Sequence, residues 1–297
     1  MSKVSIIIPS RNEQNNNLVK TLQAILASAT GEYEVLVGQD GPHTDDIEFF
    51  KKGMDLKVIE FPSVVGIKTN INTLAAMATG KYIFKSDAHC SFGQGFDEIL
   101  QADMQDDWVV MPRFYVLNKD TWQWQDNRHY DYFYLSCPFV DPRGFRFKAG
   151  GHWPELTALR ELEGDLSLLE PGIDETPQIH GSGWFMTKDR FFELGGFPLT
   201  DPYGHAQEPA NIALKNWLMG GQVMVNKKTW YSHLHQETRD KGFALGHKNE
   251  ELTYNLVANY WMKQPGMRDF IKRFMPMPTW PVNWEELYNS WLKQNAS

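Results

Sequence analysis

The chain has 297 residues, 42% of them hydrophobic and 13% aromatic, which is enough to bury a substantial core within one large α/β domain carrying insertions. Its two cysteines, Cys90 and Cys137, without any Cys-x-x-Cys spacing, exclude a disulfide framework and fit a reducing compartment. A formal charge of -8 argues against a surface devoted to a phosphate backbone, and no apolar stretch approaches the ~20 residues of a spanning helix, so a soluble, cytoplasmic protein without a secretory signal is expected.

Along the chain, Val4 to Pro9 (VSIIIP) is a β-branched run of buried-strand type, followed by the polar turn Ser10 to Asn17. Leu18, Leu22, Ile25 and Leu26 share a helical face, with Gly31 as the expected stop. Tyr33 to Val37 predicts a second strand ending at Gln39-Asp40-Gly41-Pro42, and Leu56 to Glu60 a third. A helix over Ile67, Ile71, Leu74, Ala75 and Ala78 stops at Gly80 and leads to a fourth strand, Tyr82 to Lys85, which ends at Ser86-Asp87-Ala88-His89. A short helix over Phe96 to Gln101 precedes a fifth strand, Trp108 to Met111. This alternation predicts a mostly parallel sheet, in which ligands bind at strand carboxyl ends. Three polar groups fall there: Ser10 to Glu13, Gln39 to Gly41, and Asp87 to His89.

Residues 113–180 are rich in aromatics and weakly periodic, and read as an insertion. Regular structure resumes at Gly181 to Met186, with helices expected at Asp189 to Leu194 and Glu208 to Met219 and a strand at Gln222 to Asn226 that continues into Thr229 to His235. The tail from His247 reads as helical, with Leu252, Leu256 and Tyr260 on one face and Trp284, Leu287, Tyr288 and Trp291 on another.

Asp87 and His89, two apart at a strand end, point the same way in extended chain and bring a carboxylate and an imidazole to one point. His233 and His235 repeat the spacing after another strand. One carboxylate with imidazoles suits Mn²⁺ or a similar ion better than Ca²⁺. A lone Asp-x-His is more often a turn cap beside an ordinary histidine; the rim position and the second pair reverse that balance.

In order, SIIIPSRNE, VLVGQDGP, GKYIFKSDAHC, HGSGWFMTKDRFFELGGF and QEPANIALKNWLMGG resemble glycosyltransferase family 2 and its relatives of GT-A fold, from Val4 to His235 and most weakly through the insertion. The resemblance implies an α/β, GT-A (Rossmann-like), mostly parallel sheet with helices on both faces, an aromatic-rich insertion and a helical C-terminal tail. Residues 1–240 are then the catalytic domain, with 1–112 as its nucleotide-binding half and 181–240 as its acceptor and metal half, and 241–297 form an extension. Asp87-Ala88-His89 is similar to the Asp-x-His of the UDP-GalNAc:polypeptide transferases, which take a later histidine as third ligand. This implies Asp87, His89 and His235 as holders of Mn²⁺ (or Mg²⁺), spacing from the preceding strand favouring His235 over His233.

The same resemblance implies a UDP-sugar donor. Pro9, Arg11, Glu13 and Ser86 then border it, Asp40 accepts from the base, Gly183 lies at the sugar, and Trp184 packs against sugar or acceptor or, equally well, within the core. Lys68 supplies the charge of the family's Arg-Asn pair, for which this chain has Ile71 and Asn72. Glu208, at an expected helix start, is the catalytic carboxylate: a base in an inverting enzyme, a sugar-binding group in a retaining one. Gln236 to Lys248, with Arg239, Lys241, Gly242 and Gly246, has the composition of a closing lid.

The acceptor stays open among peptide, glycan, lipid-linked sugar and modified nucleobase. TWYSHLHQ resembles predicted glycosyltransferases of phage genomes, which raises the nucleobase option, and net charge lowers it. A duplex acceptor would call for Arg143, Arg146, Lys148 and Arg160 to line one face. Two other readings compete: a two-histidine, one-carboxylate Fe(II) oxygenase, and a nucleotide- or sugar-binding protein or nucleotidyltransferase of the same fold.

Overall fold

The structure is a computed structural model that describes residues 1–43, 45–147, 151–163, 172–198, 207–235 and 247–295. The first third alternates as expected: β1 (Val4–Ser10), α1 (Asn17–Ser28), β2 (Tyr33–Asp40), β3 (Leu56–Phe61), α2 (Ile67–Met77) and β4 (Tyr82–Ser86). Then come β5 (Cys90–Phe92), α3 (Phe96–Ala102), β6 (Trp108–Leu117), β7 (Trp124–Tyr130), α4 (Pro154–Leu162) and β8 (Ile173–Glu175). The chain continues through β9 (Gly183–Thr187), α5 (Lys188–Glu193), α6 (Glu208–Leu218), β10 (Gln222–His233), α7 (His247–Trp261), α8 (Met267–Arg273) and α9 (Trp284–Gln294).

These strands form one sheet in the order β3-β2-β1-β4-β9-β6-β10-β5, with β7 paired to β6 and β8 to β10. β1, β2, β3 and β4 are mutually parallel, as are β6 and β10, whereas β9 runs antiparallel between β4 and β6. The central parallel strands β1 and β2 carry continuous apolar runs because both faces are covered: Ile6, Ile7, Ile8, Val35, Leu36 and Val37 are fully buried. The step from β1 to β2 runs one way along the sheet and the step from β3 to β4 runs back. With right-handed crossovers, α1 and α2 therefore lie on opposite faces.

The insertion is more regular than its composition predicts. It contributes β7, α4 and β8 to the fold, the two strands extending the sheet. Its Leu135, Cys137 and Phe147 join Trp261, Met262, Phe270, Trp280, Trp284 and Tyr288 of the tail in a second apolar core. On α7 the buried face is Thr253, Ala258 and Trp261, while the expected face of Leu252, Leu256 and Tyr260 is exposed; the apolar period alone left the inward side undecided. Neither Gly31 nor Gly80 is a helix stop. α1 and α2 end earlier, at Ser28 and Met77. Gly80 is needed for close approach, since a Cβ there would lie 2.5 Å from the Lys3 carbonyl oxygen.

One buried carboxylate ties the parallel strands together. Glu34 on β2 accepts from the Ser5 hydroxyl at 2.6 Å, Lys57 Nζ at 2.6 Å, and Thr79 N and Oγ1 at 2.6 and 2.8 Å. Burial alone would push its carboxyl up, but the bonds from Lys57, Ser5 and Thr79 outweigh burial and hold it down at about 2. The folded value lies below the unfolded one, so this stability is complete above pH ~4.5 and is lost as pH falls toward ~2. Glu34→Gln is expected to cost about 2 kcal/mol at pH 7 and to flatten the acid limb between pH ~5 and ~2, read by urea denaturation at several pH values.

Candidate metal centre

β1 lies between β2 and β4, where the direction of strand order reverses, and the carboxyl ends of β1 and β4 are the place where sheets of this kind bind ligands. Asp87 leaves β4 at that edge. Its backbone N–H donates to the Ser182 carbonyl at 2.9 Å, fixing the turn against the entry to β9, and the Ser86 hydroxyl donates to the Asp87 carbonyl at 2.9 Å. Three side chains converge here: Asp87, His89 and His233, whose ligand atoms all lie within 4.8 Å of one another. Asp87 Oδ2 is 3.2 Å from His233 Nε2 and 3.7 Å from His89 Nε2, and the two Nε2 atoms are 2.9 Å apart. Ligands ~2.1 Å from one octahedral ion lie about 3 Å apart, so these three atoms mark one face of such a polyhedron.

His233 reaches the cluster because β10 pairs with β5 and β6, which sets His233 opposite Cys90 and Val116, one residue from His89. The Leu234 N–H donates to the His89 carbonyl at 3.1 Å, fastening the two segments. His235, favoured from strand spacing, stands outside the three-atom group; its ring centroid is 5.7 Å from that of His233 and 5.9 Å from that of Phe114. The continuation of β10 across a register shift between Asn226 and Trp230 is what spacing could not supply.

The charges suit a cation. Burial opposes ionisation of Asp87, yet Lys85 and the His233 hydrogen bond hold its carboxyl well below the usual range. Burial, with the neighbouring His89 and His235, lowers His233 to about 3, so its imidazole is neutral. Metal binding requires these two protonation states, an ionised carboxylate and a free imidazole lone pair. Lys85 Nζ lies 2.6 Å from Asp87 Oδ1, 2.5 Å from the Gly181 carbonyl oxygen and 3.3 Å from Glu208 Oε1. Although burial opposes its charge, Asp87 and Glu208 raise its value to about 12. Glu208 begins α6 and is itself pushed up by burial, with Lys85 acting in the other direction.

The other residues singled out from sequence fall into place around this cluster. Glu13 Oε2 lies 3.2 Å from His89 Nδ1, behind the histidine, and leaves Nε2 facing the other ligands, the carboxylate–histidine arrangement common at metal sites. Both oxygens of Asp40 accept backbone N–H groups at the turn into α2, from Val65 at 2.6 Å and Gly66 at 3.0 Å. Pro9 is on β1, Arg11 just beyond it, and Lys68 in the first turn of α2. Gly183 gives its Cβ space to the Tyr231 ring, 2.7 Å away. Trp184 is fully buried, stacked on Phe191 at 6.0 Å, and meets the site through its indole N–H on Glu208 Oε1 at 3.2 Å. Lys85 was missed because YIFK reads as plain strand. His180 was missed too; it is half-buried, kept neutral by desolvation and by the neighbouring His233 and His235, and 2.5 Å from Ser182 Oγ. Residues 236–246 of the expected lid lie outside the described residues, and its last two, His247 and Lys248, open α7. No basic face forms among the described residues of the insertion: Arg143 pairs with Asp141, Arg160 with Asp174, and Arg146 is buried, while Lys148 lies outside them.

The model of glycosyl transferase family 2 matches residues 5–160. A putative polypeptide N-acetylgalactosaminyltransferase 13 of Drosophila melanogaster is 24% identical over 288 residues, covering 89% of this chain and 48% of its own length. Polypeptide N-acetylgalactosaminyltransferase 11 of Xenopus tropicalis is 23% identical over 275 residues, covering 88% of this chain and 43% of its own. The chain spans about half the length of the curated relatives it matches. Among solved structures, GalNAc-T7 with UDP, GalNAc and Mn²⁺ superposes with a TM-score of 0.66 at 17% identity, over 100% of this chain and 57% of that one. S. aureus TarS 1-349 in complex with UDP-GlcNAc gives 0.54 at 12% identity, over 99% and 80%. These likenesses show the expected GT-A fold.

Calorimetric titration with Mn²⁺ should separate the histidines. His233→Ala is expected to weaken binding by about 100-fold or more, and Glu13→Gln, one step back, by about 10-fold. His235→Ala should cost less than either, and the reverse order would assign the third ligand to His235.

Proposed function

The chain belongs to glycosyl transferase family 2, and from that membership we propose that it is a metal-dependent glycosyltransferase, moving a sugar from a nucleotide-sugar donor, a UDP-sugar, to an acceptor hydroxyl. The observation that carries this is the Asp87, His89 and His233 cluster at the carboxyl end of β4, beside the switch point of the sheet. The polypeptide N-acetylgalactosaminyltransferases to which the chain is similar, and the UDP- and Mn²⁺-bound structure that shares its fold, support both the donor class and the ion.

Asp87, His89 and His233 would hold Mn²⁺ or Mg²⁺, whose contribution there is Lewis-acid neutralisation of the diphosphate leaving group. The remaining work belongs to side chains. Glu13 fixes the ring of His89. Glu208, anchored by Trp184 and Lys85 at the first turn of α6, orients the donor sugar. Arg11 and Lys68 bring positive charge to the ends of β1 and α2 on the nucleotide side. The acceptor reading drawn from phage-like resemblance gains no support from the insertion, whose described arginines are paired or buried. We read the compartment as cytoplasmic on the two unpaired, buried cysteines; no described helix is long and apolar enough to cross a membrane. The donor set also matches that of Fe(II) oxygenases, but family membership and the parallel nucleotide-binding half favour the transferase.

Release of free UDP from a panel of UDP-sugars, with and without Mn²⁺, tests this without knowledge of the acceptor. One donor should be hydrolysed slowly in a manganese-dependent way, and Asp87→Ala should lower that rate by about 1000-fold. Absence of release, together with absence of nucleotide and metal binding, would sink the assignment.

A further inference from the structure

Lys85 stands where a β-strand in the middle of a sheet ordinarily carries an apolar residue. Its side chain is 1% exposed, and its neighbours Ile83 and Phe84 are fully buried. A lone ammonium at such a position costs several kcal/mol unless it is fully paired. An ammonium has three donors; this one donates hydrogen bonds to Asp87 Oδ1 and the Gly181 carbonyl, and its third close oxygen, Glu208 Oε1, is an ion-pair partner at 3.3 Å. They come from three separate segments: the turn after β4, the chain entering β9, and the first turn of α6. Because its side chain is 1% exposed and ringed by these three oxygens, Lys85 is closed off from a substrate.

The pairing also divides the oxygens of its partners. Asp87 turns Oδ1 to Lys85 and Oδ2 to the two histidines, so a cation meets Asp87 through one oxygen. Glu208 turns Oε1 to both Lys85 and Trp184, which sets the plane of its carboxylate. We propose that Lys85 is a positioning residue that fixes the carboxylate of Glu208 at one separation and orientation from the metal ligand Asp87. The reacting sugar carbon and the leaving diphosphate are thereby held in register. This rests on the transferase reading and adds to it a residue that neither touches donor nor binds metal.

The experiment compares wild type, Lys85→Met, Glu208→Gln and the double variant, with Mn²⁺ affinity measured by calorimetry and UDP-sugar turnover by UDP release. Lys85→Met should bind Mn²⁺ at least as tightly as wild type, because a neighbouring cation has gone. Its kcat should fall about 100-fold with KM for the donor changed less than about 3-fold, the pattern of lost alignment. The double variant should be no slower than the slower single, because Lys85 acts through Glu208. Lys85→Arg guards against a fold that fails without the charge: it keeps the cation but not the compact ammonium geometry between Asp87, Gly181 and Glu208, and should bind Mn²⁺ while losing at least about 10-fold in kcat. Wild-type turnover in either Lys85 variant, or a double variant slowed by the product of the two single effects, would overturn the proposal while leaving the transferase reading intact. A wild-type protein that neither binds Mn²⁺ nor turns over any UDP-sugar would overturn both.

Discussion

A carboxylate at the end of a central strand, with only 24% of its side chain exposed, has to be answered by positive or hydrogen-bonding groups that stay in place. Asp87 is answered on one oxygen by an ammonium and on the other by imidazoles, and much of the surrounding structure serves that arrangement. Lys85 can be tolerated inside the sheet only because Asp87, Gly181 and Glu208 surround it. His233 can approach only because β10 is pinned between β5 and β6 in the observed register. Glu13, from the turn after β1, then fixes the ring of His89. Segments more than 200 residues apart in sequence thus meet within one hydrogen-bonded network.

The order of strands is what brings them together. β1 and β4 are neighbours although α1, β2, β3 and α2 intervene, and β9 inserts antiparallel beside β4 so that Gly181 and Ser182 lie against Lys85 and Asp87. The absent Cβ of Gly183 leaves room for the Tyr231 ring, which lets β10 come close to the same turn. Family membership, the shared GT-A fold and the convergence of these residues agree with one another, although they rest on separate observations: a sequence pattern over residues 5–160, a backbone superposition, and side-chain geometry.

The alternating first third was legible in the sequence because its central strands are apolar runs punctuated by Gly, Pro and Asp, and because Asp-x-His at a strand end is a local pattern. What stayed hidden was set by non-local pairing. β7 lies in an aromatic stretch with no alternating burial, and its strand conformation comes from pairing with β6. That His233 comes beside His89 depends on the pairing of β10 with β5, and the inward face of α7 on a second core to which the insertion contributes. Lys85 looked like the polar end of a strand, and its partner Glu208 is 123 positions away. Glu13 and Asp40 were found as residues of the rim, but their partners, His89 and the backbone of Val65 and Gly66, depend on how the rim closes.

The most direct test of the central claim is anomalous diffraction at the manganese edge from crystals grown with UDP and Mn²⁺. The account predicts a single strong peak about 2.1 to 2.3 Å from Asp87 Oδ2, His89 Nε2 and His233 Nε2, with the diphosphate completing the coordination. A peak ligated through His235 instead of His233 would require a different register for the end of β10. No peak at Asp87 in crystals that contain bound UDP would contradict the metal centre itself.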